Sequence, residues 1–162
     1  MSALVCQEQK KIVVPPLLSW DVYHFHLDNI KRHANDFRLL ESVATKLSVE
    51  PDLIAALEDH KVIVITDVNL NIEFASSNMH DMSGYLPVEM IGNSPKMLQG
   101  PLTDQKLSKE IRNHITKHEP FEGVLTNYRK DKSIYNCHIK GYPIFDKRGN
   151  ITKFVAIEEE AA

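Results

Sequence analysis

Eight histidines make metal or haem ligation the first chemistry to consider in this 162-residue sequence. His114 and His118 are four positions apart, and on a helix this spacing brings two imidazoles to one face, where they could hold a metal ion. His24 and His26 are two positions apart and would point to different faces. Since a protein zinc site needs three or four protein ligands, two histidines do not complete one. We therefore expect a solvated helix face and no metal site.

The two cysteines, Cys6 and Cys137, are too few and too far apart in the sequence to form a disulfide framework. This usage is typical of a reducing compartment, so we predict a cytoplasmic protein. A free cysteine most often serves as a small buried apolar side chain, and a redox role for Cys137 is the alternative. The sequence contains no hydrolase triad, phosphate-binding loop or catalytic carboxylate pair in a recognisable setting. We therefore predict that the protein is not an enzyme.

The composition indicates an ordinary globular protein, with 43% hydrophobic and 25% charged residues. The 19 basic and 22 acidic residues give a net charge of -3, so neither a nucleic acid nor an anionic membrane is predicted as a partner. The short apolar run Ile12 to Val14 is interrupted by Pro15 and Pro16, which excludes an export signal or membrane span there. We expect residues 1–16 to be a flexible tail.

An amphipathic pattern begins at Ser19 and predicts a long helix within an N-terminal extension at residues 17–60. Its apolar or small residues recur every three or four positions, at Trp20, Tyr23, Leu27, Ile30, Ala34, Phe37, Leu40, Ala44 and Leu47. Such a stripe must be buried, either on the rest of the chain or on the same helix of a second copy. The pattern is therefore compatible with a homodimer.

A second, shorter helix is predicted from a cap at Ser48 to about His60. With the turn before it, this helix has the outline of a helix-turn-helix, so DNA binding must be considered. The second helix carries Asp52, Glu58 and Asp59 but no lysine or arginine, and these carboxylates would repel phosphates. DNA binding is therefore disfavoured.

After His60 the pattern changes to the period of β-strands. Five strands are predicted, at Lys61 to Asp67, Leu70 to Ser76, Glu122 to Arg129, Ser133 to Phe145 and Ile151 to Glu158. Short helical pieces and one longer helix, capped at Thr103 or Asp104 and continuing to about Lys117, separate the second strand from the third. This order predicts an α+β fold with one antiparallel sheet and helices gathered on one face, where a cavity could hold a small ligand.

Residues 61–160 resemble a PAS domain, and within that superfamily they resemble the light-oxygen-voltage (LOV) flavin photoreceptors. The resemblance rests on Gly84-Tyr85, on the segment GNSPKMLQGPLTD at residues 92–104 and on NYRKD at residues 127–131. It implies a five-stranded antiparallel sheet with helices on one face, preceded here by the N-terminal amphipathic helix. It covers about three fifths of the chain.

The resemblance fails at the residue that does the family's photochemistry. The family's turn motif contains an Asn-Cys pair, and the cysteine sulfur adds to the flavin ring after light absorption. Here Ser94 and Pro95 stand at those two positions. Because proline has no nucleophile, the family's cysteinyl-flavin adduct cannot form at this site.

The other cofactor-binding positions of the family are partly retained. Gln99 and Asn127 match amides that meet the polar edge of the flavin, whereas Cys137 and Glu158 replace an asparagine and a glutamine. A Glu158 carboxylate buried against a ring would need a partner or a raised pKa. Lys96 and Arg112 stand at the positions that hold the flavin phosphate. The resemblance thus implies a cofactor-binding set of Ser94, Lys96, Gln99, Arg112, Asn127, Cys137 and Glu158.

We interpret the sequence as a stand-alone sensory PAS protein, LOV-like but without the cysteinyl adduct, that senses a small ligand, redox state or light. One alternative is an adduct-free photoreceptor or redox sensor that binds FMN or FAD. Another is a PAS interaction or dimerisation module without a ligand. Only four residues follow the last predicted strand after Glu158, so we expect the output to act in trans, through homodimer contacts or an unknown signalling protein.

Overall fold

The computed structural model describes residues 31–32, 34–41 and 53–161. Residues 34–41 are helical, and this N-terminal helical segment belongs to the predicted long helix. Helix α1 (Leu53–Glu58) corresponds to the second predicted helix. The predicted features outside the described residues are the tail at 1–16, Cys6, His24, His26, Ser48, and residues 19–30 and 42–47 of the long helix.

One antiparallel sheet contains all five strands described, in the order β2-β1-β5-β4-β3. The strands are β1 (Val62–Asp67), β2 (Ile72–Ala75), β3 (Phe121–Tyr128), β4 (Ile134–Phe145) and β5 (Ile151–Glu160). The predicted α+β class and five-stranded sheet are confirmed. β5 is two residues longer than predicted, because Glu159 and Glu160 still pair with His138 and Cys137 of β4.

Four helical elements connect β2 to β3. They are α2 (Met79–Ser83), α3 (Pro87–Met90), the 3₁₀ turn η1 (Pro95–Leu98) and α4 (Gln105–Lys117). Asp104 caps α4 as predicted, since its carboxylate accepts hydrogen bonds from the backbone N–H groups of Lys106 and Leu107 at 2.8 and 3.2 Å. The helix ends where His118 adopts a left-handed backbone conformation with φ 57°.

The turn between β1 and β2 is organised by Asp67. Its carboxylate accepts hydrogen bonds from the side-chain amide of Asn71 and from the backbone N–H groups of Asn71 and Asn69, all at 2.8 Å, and these bonds lower the pKa of Asp67. Leu70 takes a positive φ of 64° inside the turn. This conformation places Leu70 at the rim of the cavity described below.

The two faces of the sheet carry separate apolar clusters. The cluster on the face of α2, α3 and η1 includes Val64 of β1 and Met79 of α2. The cluster on the opposite face includes Ile63 of β1, Val155 of β5 and Leu40 of the N-terminal helical segment. Because successive side chains of a strand point to opposite faces, β1 contributes to both clusters and is buried along its length.

The elements of the N-terminal extension pack on the face opposite to α2, α3 and η1. Leu40 is fully buried and Phe37 is partly buried there, together with Leu53 and Leu57 of α1. This part of the predicted apolar stripe is therefore covered by the sheet of its own chain. Asp36 adds a polar contact, since its Oδ2 accepts a hydrogen bond from the backbone N–H of Ser77 at 2.7 Å.

The described helices thus lie on both faces of the sheet. The prediction of helices on one face holds for the helices between β2 and β3. Within the described ranges no helix is long and apolar enough to cross a membrane.

Candidate functional site

A cavity of about 120 Å³ lies between the sheet and the helical elements α4 and η1. The sheet contributes mostly apolar side chains to its wall, among them Val64 and Ala156, and α4 contributes Ile111 and Ile115. A few polar side chains from different elements interrupt this apolar wall. Such a combination is typical of sites that bind a small, largely apolar ring and fix its orientation.

The cavity is elongated along β5. Phe154, Ala156 and Glu158 are alternate residues of this strand, so they share one face and follow one another along the cavity wall. Four residues of extended chain span about 13 Å. At the Phe154 end the cavity adjoins an outer pocket of about 470 Å³, whereas Glu158 lines only the inner cavity.

The mouth between the two pockets is positively charged. Lys96 on η1 and Arg112 on α4 line both pockets, and both side chains are exposed. Neither cation forms an ion pair with a carboxylate of the described residues. Ser94 also lies here, where its side chain caps η1 by accepting a hydrogen bond from the Lys96 N–H at 3.4 Å. The mouth could therefore bind an anionic group such as a phosphate.

The inner end of the cavity carries the Glu158 carboxyl group. This residue is 5% exposed, and its only side-chain hydrogen bond within the described structure is a weak one from the thiol of Cys137, with Sγ and Oε2 3.6 Å apart. Burial raises the pKa of Glu158 to about 7. The group is therefore poised to be a neutral hydrogen-bond donor below that pH and a buried anion above it.

Further buried polar side chains lie on β3 and β4, and Cys137 and Tyr135 belong to the same apolar cluster as the cavity-lining Val64. Cys137 is fully buried and contacts Glu158, and Asn127 is 3% exposed and pairs across the sheet with Tyr135. Neither Asn127 nor Cys137 lines the cavity. Burial raises the pKa of Cys137 and of Tyr135, so both remain neutral at physiological pH.

Arg129 connects the buried Tyr135 to neighbouring elements. Its guanidinium lies 4.5 Å from the centre of the Tyr135 ring, donates a hydrogen bond to the carbonyl of Met82 and pairs with Glu160 at 2.7 Å. One side chain thus ties the β3–β4 hairpin to the end of α2 and to the end of β5.

Two further polar groups on the cavity wall have no side-chain partner in the described structure. The buried hydroxyl of Thr66 on β1 forms no hydrogen bond. The half-buried Gln99 side chain, beyond η1, also shows none. Since buried polar groups are normally hydrogen-bonded, these positions favour a polar ligand.

The structure brings together most of the predicted cofactor-binding residues. Ser94, Lys96, Gln99, Arg112 and Glu158 line the cavity, together with Pro95 at the family's cysteine position. Asn127 and Cys137 do not line the cavity, and their contact with a ligand stays a prediction. Thr66 was missed because it lies in the apolar run of β1, where burial on both faces removes the alternation that would mark an inward polar residue. Tyr135 was also missed, although β4 alternates between exposed and buried positions there.

His114 on α4 and His118 just after it form no metal cluster with other described residues. His114 lies 3.3 Å from the Glu119 carboxylate, whereas His118 ends the helix and its ring lies 6.5 Å from that of Phe154 at the cavity mouth. Among the described residues no group of three or more histidine, cysteine, aspartate or glutamate side chains is placed to hold a metal ion.

Comparison with known proteins shows the family of this chain. The family model of the PAS domain matches residues 60–160, which is more than half of the chain. The chain therefore belongs to the PAS domain family.

Solved structures place it near the LOV type of PAS domain. The light-state structure of the blue-light photoreceptor Aureochrome1 LOV superposes with a TM-score of 0.61 at 31% identity, covering 68% of this chain and 90% of that one. A structure described as "Flavin Analogue Sheds Light on Light-Oxygen-Voltage Domain Mechanism" superposes with a TM-score of 0.64 at 28% identity, covering 71% and 88%. The LOV-like interpretation of the sequence is thus confirmed.

Curated relatives are much longer proteins. Protein TWIN LOV 1 of Arabidopsis thaliana is 38% identical over 88 residues, which is 54% of this chain and 22% of the relative. The bacterioopsin transcriptional activator of Halobacterium salinarum is 30% identical over 97 residues, 60% of this chain and 14% of the relative. This chain spans less than a quarter of the length of either relative.

Proposed function

We propose that this chain is a sensory PAS domain that binds a flavin-class ligand in the cavity along β5 and signals through protein contacts without a cysteinyl adduct. The observation that carries the proposal is the set of polar groups on an otherwise apolar wall. Thr66, Gln99 and Glu158 come from three elements, and within the described structure only Glu158 has a side-chain partner, the weak thiol contact. A flat ring with polar edges would satisfy them.

The residues present fit a flavin. The apolar lining of the inner cavity suits the faces of the ring, and Lys96 and Arg112 at the mouth suit a phosphate on its tail. When bound, a flavin would supply visible-light absorption and one- or two-electron redox chemistry. Pro95 provides no nucleophile beside the ring, so sensing would depend on occupancy, redox state or light-driven reduction. The relatives named for light perception support this ligand class.

The signal has a physical route to the N-terminal extension. Ala156 and Glu158 face the cavity, whereas the intervening Ile157 packs in the cluster that holds Leu40. A change in cavity occupancy would therefore shift a strand whose other face supports the N-terminal helical segment. We propose that this segment passes the signal to a second copy or to another signalling protein.

The visible spectrum of the purified full chain tests the ligand. We expect yellow protein, or colourless protein that quenches the fluorescence of added FMN or FAD in a saturable titration. Arg112→Gln should weaken FMN binding severalfold and leave riboflavin binding nearly unchanged, because riboflavin lacks the phosphate. Arg148→Gln, at an exposed position remote from the cavity lining, is the matched control. Protein that is colourless and takes up no flavin would exclude this function and favour a ligand-free interaction module.

Sedimentation velocity tests the output. We expect added flavin to change the sedimentation coefficient of the full chain or its affinity for a second copy. Asp36→Ala removes the acceptor for the Ser77 N–H and should weaken this response, whereas Asn35→Ala changes an exposed neighbour on the same segment and should preserve it. An identical response in both variants would exclude the Asp36 contact from the signal route.

A further inference from the structure

We infer that Glu158 makes ligand binding proton-linked: the cavity admits a ring with hydrogen-bond acceptors at its inner edge only when the Glu158 carboxyl group carries a proton. This inference rests on the proposed function and deepens it. It identifies the oxidised flavin ring, whose edge presents acceptor atoms, as the form that binds with uptake of a proton.

The geometry leaves Glu158 without an ionic partner. The side chain is 5% exposed and lines the inner cavity, and within the described structure no lysine, arginine or histidine forms an ion pair with it. The Cys137 thiol at 3.6 Å is a weak donor. A buried carboxylate with one weak hydrogen bond has an unfavourable desolvation free energy, and protonation removes this penalty.

The groups that face Glu158 from the surrounding elements do not fix its protonation state, which therefore depends on pH and on the ligand. From β4, Cys137 and Tyr135 are neutral, because burial raises the pKa of both. From η1 and α4, Lys96 and Arg112 line the same cavity, but they also line the outer pocket at its opposite end. β1 contributes only uncharged residues to the wall. Burial accordingly raises the pKa of Glu158 to about 7.

Protonation decides which hydrogen bonds Glu158 can offer to a ring. A neutral carboxyl group has one O–H donor, whereas the carboxylate has acceptors alone. An ionised Glu158 would thus set a negative charge against the acceptor atoms of an oxidised flavin edge. The glutamine that the family has at this position keeps an N–H donor at every pH, so proton linkage follows from the replacement of that amide by a carboxyl group.

A pH series of riboflavin titrations tests the inference. Riboflavin is the probe because it lacks the phosphate that would add its own titration, and protein fluorescence or flavin quenching reports binding between about pH 5.5 and 9. We expect the dissociation constant to be constant below about pH 6.5 and to rise toward tenfold per pH unit above pH 7. Calorimetry in two buffers of different ionisation enthalpy should show net proton uptake near pH 8.

Two variants distinguish the contribution of Glu158 to the pH dependence from that of other titrating groups. Glu158→Gln should bind riboflavin with an affinity that is independent of pH over this range. Glu159→Gln, which alters the neighbouring carboxylate on the opposite face of β5, should keep the wild-type dependence. If Glu158→Gln fails to fold by circular dichroism, the infrared carbonyl band of a protonated carboxyl group in the wild type gives the answer, because riboflavin added near pH 8 should restore that band.

The possible failures are distinguishable. A pH-independent dissociation constant in the wild type, or the same pH dependence in Glu158→Gln, would overturn the inference and leave the flavin-binding function standing. Absence of binding of riboflavin, FMN and FAD at every pH would overturn the proposed function, and this inference with it.

Discussion

Glu158 and Glu159 are neighbours on β5 and differ in almost every physical respect. Glu158 is buried at the end of the cavity, and burial raises its pKa to about 7. Glu159 lies on the other face of the sheet, where its carboxylate is 3.1 Å from His138 and 3.6 Å from Lys61. Its pKa is lowered, chiefly by the hydrogen bond to His138. One step along a strand therefore separates a carboxyl group that resists ionisation from one that is stabilised as an anion.

The difference shows that position along the strand, not residue type, assigns chemistry in this part of the chain. Because the side-chain period of a strand is two, a shift of one residue in the pairing of β4 with β5 would exchange the two environments. The register is fixed by the apolar residues that precede the glutamates, since Ala156 faces the cavity whereas Val155 and Ile157 pack on the outer face. The packing of the apolar core therefore determines which of the two glutamates faces the cavity.

The largest effect is expected from Glu158→Gln on the stability of the ligand-free protein. In the wild type the folded-state pKa of about 7 exceeds the ordinary value of 4.5, so the folded state binds protons more tightly than the unfolded state. Stability should therefore fall as pH rises from about 4.5 to 7, by about 3 kcal/mol in total. The substitution removes this loss. Urea unfolding should show a variant more stable than the wild type at pH 8 and similar to it at pH 4.

A variant equal to or less stable than the wild type at pH 8 would contradict this prediction. Glu160→Gln is a useful control, because Glu160 is exposed and pairs with Arg129. It should not reproduce the gain in stability at high pH.

Glu159→Gln should have a smaller effect of opposite sign. The lowered pKa of Glu159 means that its ion pairs stabilise the fold above its ordinary pKa and are lost as pH falls through its folded-state value. The side chain is 42% exposed, so solvent screening limits the loss to less than about 1 kcal/mol at pH 7. Thermal unfolding of the wild type and the variant at pH 7 and at pH 3 measures this loss of stability. A destabilisation that persists unchanged at pH 3 would show that packing is responsible.

The smallest effect is the coupling between the two positions. Since the two side chains lie on opposite faces of the sheet, the double variant should change the free energy of unfolding by the sum of the single changes, within about 0.5 kcal/mol. A double-mutant cycle in urea at pH 8 gives this number. A larger coupling would mean that the sheet transmits charge effects between its faces.

Local signals in the sequence predict much of this fold. The Asp104 cap of α4 and the strands β3 to β5 were predicted within a few residues, because caps and alternating patterns depend on neighbours in the chain. The packing of Leu40 on the outer face of the sheet could not be predicted. An amphipathic stripe shows that a surface is buried and does not show what covers it.

The candidate site was predictable only in part. The resemblance to LOV domains implied Gln99 and Glu158 as cofactor-binding residues, and both line the cavity. It could not show that the Cys137 thiol contacts the Glu158 carboxylate, since that contact depends on packing between strands. Thr66 gave no signal, because β1 is covered on both faces and reads as a continuous apolar run.

The two cations at the cavity mouth, which form no ion pair with the described residues, have a kinetic consequence. Lys96 and Arg112 line both the cavity and the outer pocket, and their field would attract a ligand with a negative tail from a distance of about one Debye length, roughly 10 Å at moderate salt. Association of such a ligand should slow as ionic strength rises, whereas its departure, governed by withdrawal of the apolar ring, should depend little on salt. The ionic strength of the medium would then set how fast this domain acquires its ligand, more than how long it keeps it.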